Sequence, residues 1–114
     1  MPAERKLALD GREIALDPDG HLVDPDDWSE PVAEEMARLD GLELCDLRWW
    51  LIRFVRAHYG AYGMPPLMRV AVKAMRRDVG PEDASSRTLY RLFPDGPIRE
   101  ACRYGGLPKP ESCI

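Results

Sequence analysis

Residues 46–59, D-L-R-W-W-L-I-R-F-V-R-A-H-Y, constrain the fold more than any other stretch. Leu47, Trp50, Leu51, Phe54 and Val55 recur at the spacing of one wide apolar helical face, and Trp49 and Ile52 extend it. Short helices gain most of their stability from packing an apolar face, so this one belongs at the centre of the domain. Asp46 is placed to cap it, and Arg48, Arg53 and Arg56 to face outward.

The flanking stretches read as its cover. Asp24 to Ser29 is a turn ending in N-cap candidates, followed by a helix to about Leu39 with Val32, Met36 and Leu39 on one face. Trp28 is expected to staple that helix entry to the core. Gly60 to Gly63 reads as a flexible joint before a helix over about 66–77, with Leu67, Val70, Ala71, Ala74 and Met75 inward. Ser85 or Ser86 caps a short helix through Leu92, and Asp95-Gly96-Pro97 opens a last helix ending at Tyr104. Ile98 and Cys102 lie one turn apart there, which predicts a half-shielded Cys102. At the other end, Asp10-Gly11 between Leu7/Leu9 and Ile14/Leu16 is a two-residue hairpin signal. A second turn, Asp17 to Gly20, leads into Leu22-Val23. The expected fold is mainly α: a small, helix-turn-helix-like bundle of about five helices with a short N-terminal β-hairpin. It forms a single domain over 1–104 and carries a mobile arm over 105–114.

The arm is predicted from what its sequence forbids. In Y-G-G-L-P-K-P-E-S-C-I, Gly105 and Gly106 end a helix, and Pro108 and Pro110 exclude both a new helix and a central strand. What remains is an extended segment that can carry the Cys113 thiol about 26–29 Å from Gly105. Gly105 and Gly106 also supply the positive-φ freedom that folding back requires, so they read as a hinge. Two states are open to such a chain: arm out with free thiols, or arm in with Cys113 linked to Cys102, directly or through an inserted sulfur.

Charges around the thiols suggest a division of labour. Glu111 and the terminal carboxylate disfavour a Cys113 thiolate, with Lys109 a partial offset, so activation is expected from a basic channel in a partner. Arg103 beside Cys102 modestly favours a thiolate there, which makes Cys102 the resolving thiol. Cys45 reads as a small buried hydrophobe. His21 and His58 lack ligand spacing, so neither metal nor cofactor is assigned. Three cysteines form no secreted disulfide framework, and the N-terminus has no signal-like apolar segment. No apolar run is long enough to span a membrane. A cytoplasmic location is expected.

Arg69, Lys73, Arg76 and Arg77 form a basic stripe on the outer face of the 66–77 helix. A helix, a short joint and a basic helix resemble a helix-turn-helix. With a net charge of −4, however, the stripe reads as a solvated face doubling as a docking patch for an acidic partner, and nucleic acid is disfavoured.

Leu89 to Ile114, L-Y-R-L-F-P-D-G-P-I-R-E-A-C-R-Y-G-G-L-P-K-P-E-S-C-I, resembles the C-terminus of the DsrC/TusE family of sulfur-carrier proteins. The shared signature is L-F-P-x-G-P, an A-C pair on a helix, then G-L-P-K-P-x-x-C and one apolar residue. The rest of the chain is similar more loosely, and Trp49-Trp50 replaces the family's histidine-tryptophan. The resemblance implies a sulfur carrier. Members with only the penultimate cysteine relay persulfide towards tRNA 2-thiouridine, whereas members with both cysteines work with dissimilatory sulfite reductase (DsrAB). Having Cys102 and Cys113, this chain falls with the second group. By that resemblance Cys113 enters the reductase's sirohaem site, a Cys102–Cys113 trisulfide is passed onward, and the partners include upstream sulfurtransferases and a membrane-bound Dsr complex. A tRNA-thiolation relay and a DNA-binding regulator are the alternatives.

Overall fold

A computed structural model describes residues 5–110. The hairpin forms as its turn residues dictate: β1 (Arg5–Leu9) pairs antiparallel with β2 (Arg12–Leu16), and Leu7 sits opposite Ile14. Asp10 (φ 52°) and Gly11 (φ 77°) supply the two positive torsions of the tight turn. Leu7 and Ile14 are buried, and β1 packs against the first helix, which stabilises a two-stranded unit too small to stand alone. Leu22 adds a single bridge to Leu16 rather than a third strand.

Five helices follow: α1 (Glu30–Leu39), α2 (Asp46–Tyr62), α3 (Met68–Asp78), α4 (Ser86–Leu92) and α5 (Pro97–Tyr104). Ser29 and Ser85 cap α1 and α4 by accepting from the N–H groups of Val32 and Thr88. The central role of α2 is confirmed: Leu51, Ile52 and Val55 are fully buried, and its main packing partner is α5. The core joins the hairpin's Leu7 and Ile14 to Val32 and Met36 of α1, to α2, to Met75, and to Leu89 and Ile98.

Several details differ from the sequence reading. Helix α2 continues through Gly60 to Tyr62 and ends at Gly63 (φ 72°), so no joint begins at residue 60. Its outer face explains the extension: Trp50, Phe54, His58 and Tyr62 stack at successive i, i+4 steps, with ring centroids 5.3, 6.0 and 4.6 Å apart. Cys45 occupies the N-cap and Asp46 is the first helical residue. Helix α3 starts at Met68, after Pro65-Pro66 hold the chain extended. Its buried stripe is Ala71, Ala74 and Met75, which leaves Leu67 and Val70 exposed, and Leu39 at the end of α1 is exposed too.

Candidate functional site

The site grows from the end of α5. The N–H of Gly106 donates to the carbonyl of Arg103 and that of Leu107 to the carbonyl of Cys102, while Gly106 adopts φ +70°. This is the paired-bond helix end that a left-handed glycine permits. The two glycines serve different purposes. Gly106 supplies the torsion. Gly105 has an ordinary φ of −85°, and a side chain there would meet the Ala101 carbonyl at 2.9 Å and Arg56 Cγ at 3.2 Å. A Cβ on Gly106 would lie 2.5 Å from the Trp28 ring.

Helix ends leave carbonyls without intrahelical partners. Here distant side chains supply them. Trp28 Nε1 donates to the carbonyl of Tyr104 at 2.7 Å, and Arg56 Nη1 to that of Gly105 at 2.6 Å. The guanidinium of Arg56 lies 3.7 Å from the Trp28 ring centroid, so the two donors brace each other by cation–π contact. His21, buried after the second turn, meets the carbonyl of Leu107 through Nδ1 at 3.2 Å. A carbonyl only accepts, so Nδ1 carries the proton in this contact. Lys109 pairs with Asp19 at 2.9 Å. Trp28 therefore caps α5 rather than merely stapling α1, and residues 105–109 are tied to the body at successive points. Nothing in the sequence marks Trp28, Arg56 and His21 for this task, since 49 to 86 residues separate the partners.

Cys102 is fully buried, not half-shielded, and burial pushes its thiol up to about 12. The expected help from Arg103 does not reach it. Arg103 is committed elsewhere, to Asp40 at 2.5 Å and Glu100 at 3.1 Å. Burial alone would lower the pKa of Arg103, and these carboxylates more than reverse it. The Tyr104 hydroxyl also donates to Asp40, at 2.6 Å. Burial first, and then this bond, raise its pKa. In this arrangement Cys102 is a buried, protonated thiol and a poor nucleophile.

The other residues singled out in the sequence lie apart from this point. Cys45 is exposed, contrary to the expectation of burial, because the N-cap position turns it outward. Arg69, Lys73 and Arg76 are exposed on α3, and Arg77 is paired with Asp78 at 2.7 Å. A groove of about 570 Å³ is lined by Met64, Leu67 and Met68 together with Pro108 and Pro110 of the tail. Among the described residues no cluster of His, Cys, Asp or Glu could hold a metal, and no helix is long and apolar enough to cross a membrane. Cys113 and the tip of the arm lie outside the described residues.

Comparison with known proteins points the same way as the C-terminal motif. A family described as "DsrC like protein" matches residues 8–114. The sulfurtransferase TusE of Escherichia coli (strain K12) is 44% identical over 108 residues, 95% of this chain and 99% of that protein. TusE of Sodalis glossinidius is likewise 44% identical, over 95% of this chain and all of its own. Among solved structures, Allochromatium vinosum DsrC aligns with a TM-score of 0.84 and 41% identity, over 98% of this chain and 100% of that one. The oxidised γ-subunit of dissimilatory sulfite reductase (DsrC) from Archaeoglobus fulgidus aligns with a TM-score of 0.84 and 38% identity, over 96% and 100%.

Proposed function

Because this chain belongs to the DsrC-like family, we propose that it is a protein sulfur carrier that takes up sulfane sulfur on Cys113 and uses Cys102 as the resolving thiol. The observation that carries the reading is the pairing of a thiol near the end of a Gly/Pro-rich tail with a second, buried thiol at that tail's root. The Cys113 thiolate attacks the outer sulfur of a donor persulfide, forming Cys113–S–SH and releasing the donor thiolate. Attack of Cys102 on Cys113 Sγ then forms the Cys102–Cys113 disulfide and expels the outer sulfur as hydrosulfide. The two thiols are oxidised as the sulfane sulfur is reduced. A trisulfide is two electrons more oxidised than persulfide plus thiol, so it requires a partner that supplies more oxidised sulfur, such as a sulfite-level species. In this reading Gly105, Gly106 and the residues after them form the arm's pivot, which turns once its bonds to Trp28, Arg56 and His21 release.

The partner proposed is dissimilatory sulfite reductase (DsrAB), with upstream sulfurtransferases and a membrane-bound Dsr complex on either side. Two cysteines, and the likeness to a structure described as the reductase's γ-subunit, support it. The 44% identity to TusE proteins favours the second reading, a relay in tRNA 2-thiouridine synthesis, which has no need of Cys102.

Intact-mass analysis after incubation with a sulfane-sulfur donor tests the carrier. Cys113→Ser abolishes both sulfur loading and the internal link. Cys102→Ser abolishes only the link and leaves a persulfide on Cys113. Loading of Cys113→Ser at the wild-type rate would overturn the assignment. The pathway is decided by co-incubation with the reductase turning over sulfite: a mass shift on wild-type protein that Cys102→Ser lacks marks the reductase partner. Its absence, with normal tRNA thiolation by Cys102→Ser, marks the relay.

A further inference from the structure

Among the described side chains, every lysine and arginine outside α3 and α4 has a partner. Lys6, Arg12, Arg38 and Arg53 pair with carboxylates, as do Arg99, Arg103 and Lys109, while Arg48 and Arg56 donate to backbone carbonyls. On α3 and α4 the pattern reverses. Only Arg77 is paired, whereas Arg69, Lys73, Arg76, Arg87 and Arg91 are exposed and meet no carboxylate. The spacings i, i+4 and i+7 on α3, and i, i+4 on α4, put each set on one face of its helix, and the two helices pack together. Residues 68–92 hold six basic and three acidic residues, against ten and seventeen in the rest of the chain. An acidic protein thus concentrates its uncompensated positive charge on two adjoining helices.

Apolar surface gathers at the same end. Tyr62 (69% exposed), Met64 (58%), Leu67 (50%) and Val70 (37%) follow one another across the α2–α3 junction. Met64 and Leu67 also line the groove that Pro108 and Pro110 line. The basic helix therefore begins beside Pro108 and Pro110.

We propose that α3, α4 and the α2–α3 junction form one docking face for an acidic protein surface. That surface sets carboxylates against the five unpaired cations and an apolar side chain against Met64 and Leu67, beside Pro108 and Pro110. Charge complementarity selects a negatively charged partner. Two observations select protein over nucleic acid. Exposed Met and Leu beside the cations offer nothing to a phosphate backbone. A duplex longer than the patch would also run past it onto the acidic remainder of the molecule. The carrier reading above explains why a partner must sit beside the tail. The charge pattern itself is independent of that reading.

The test is fluorescence anisotropy with a synthetic Glu/Leu-rich peptide and, separately, a short DNA duplex of equal charge, at low and high salt. One variant carries Arg69→Gln, Lys73→Gln and Arg76→Gln. A control carries Arg12→Gln, Arg38→Gln and Arg53→Gln, the same charge removed from already paired sites. At low salt the α3 variant should weaken peptide binding at least about tenfold and the control no more than about threefold, with the difference vanishing at high salt. Leu67→Ser should weaken it further. Absent wild-type binding to the peptide, equal losses in both variants, or tighter binding of the duplex than of the peptide would each overturn the proposal. So would loss of self-association as the only effect of the α3 variant. Sulfur loading of Cys113 from a small-molecule donor is measured on the same samples. Its failure in wild-type protein sinks the carrier reading and leaves the docking result standing.

Discussion

The indole N–H of Trp28 reaches across 76 residues to the carbonyl of Tyr104 at 2.7 Å, and the Trp28 ring is packed where a side chain on Gly106 would otherwise stand. One residue thus satisfies the end of α5 and shapes the reverse turn that follows it. Arg56, stacked over the same ring, satisfies the next carbonyl. The Cys102 carbonyl is held by the N–H of Leu107 within the same turn.

Trp28→Ala should lower stability by about 3–5 kcal/mol through lost packing and an orphaned carbonyl. Trp28→Phe keeps most of the packing and should cost about 1–3 kcal/mol. In both, native-state alkylation of Cys102 should accelerate relative to wild type. Denaturant unfolding and peptide-resolved alkylation check the two effects, and unchanged Cys102 reactivity would show that the cap does not gate the thiol.

Gly106→Ala places a side chain at φ +70° and against Trp28, so it should cost at least about 1–3 kcal/mol. Gly105→Ala meets no torsional penalty but presses on the Ala101 carbonyl and on Arg56, whose side chain can move. Its cost should be smaller. Thermal melting of the two variants side by side gives the order, and a larger loss at Gly105 would contradict it.

Cys102 makes stability depend on pH in a definite direction. Its folded pKa, about 12, lies above its ordinary value of 9.0, so the folded state holds the proton more tightly than the unfolded chain does. The contribution is complete below about pH 9 and is lost as pH rises from there towards 12, where unfolding releases the proton. The stability gap between wild type and Cys102→Ala should therefore narrow between pH 8 and pH 10.5 in denaturant titrations. Tyr104 is common to both proteins and cancels. A gap constant with pH would mean that the thiol is not shielded.

Asp40→Ala removes the carboxylate shared by Arg103 and Tyr104, two largely buried side chains that bind it at 2.5 and 2.6 Å. The loss should be about 2–3 kcal/mol, larger than for an exposed ion pair, because the polar groups left behind are shielded from water. Chemical unfolding measures it. The α5 signals should also lose hydrogen-exchange protection before those of α2.

Cys45→Ser should leave sulfur loading intact and change stability by no more than about 1 kcal/mol, in the stabilising direction if the hydroxyl caps α2. Exposed at the helix entry, Cys45 should be alkylated under native conditions well before Cys102. Circular-dichroism melts and timed alkylation with mass readout test both statements.

Much of the molecule could be read from local sequence. The hairpin, the order of five helices and the serine caps follow from turn chemistry and apolar periodicity, which act over a few residues. The centrality of α2 follows too, since Leu51, Ile52 and Val55 lie on the stripe that had to be covered. The C-terminal motif pointed to the family for the same reason: Gly-Gly, Pro-x-Pro and the two cysteines are contiguous. Residue type alone misleads at Cys45, which reads as a small core hydrophobe yet sits at an exposed helix entry. Leu67 and Val70 read as inward, on a stripe that turns away from them. Only the tertiary structure decided the fate of the tail's root. Local sequence reads Gly105-Gly106 as freedom to move. In the fold, the carbonyls left over at the end of α5 and just beyond it require donors, and Trp28, Arg56 and His21, distant in sequence, are brought there as α5 packs on α2 and α1. Burial also outweighs the charge of Arg103 in setting the chemistry of Cys102, because desolvation depends on everything that covers a thiol and a neighbour in sequence covers almost none of it.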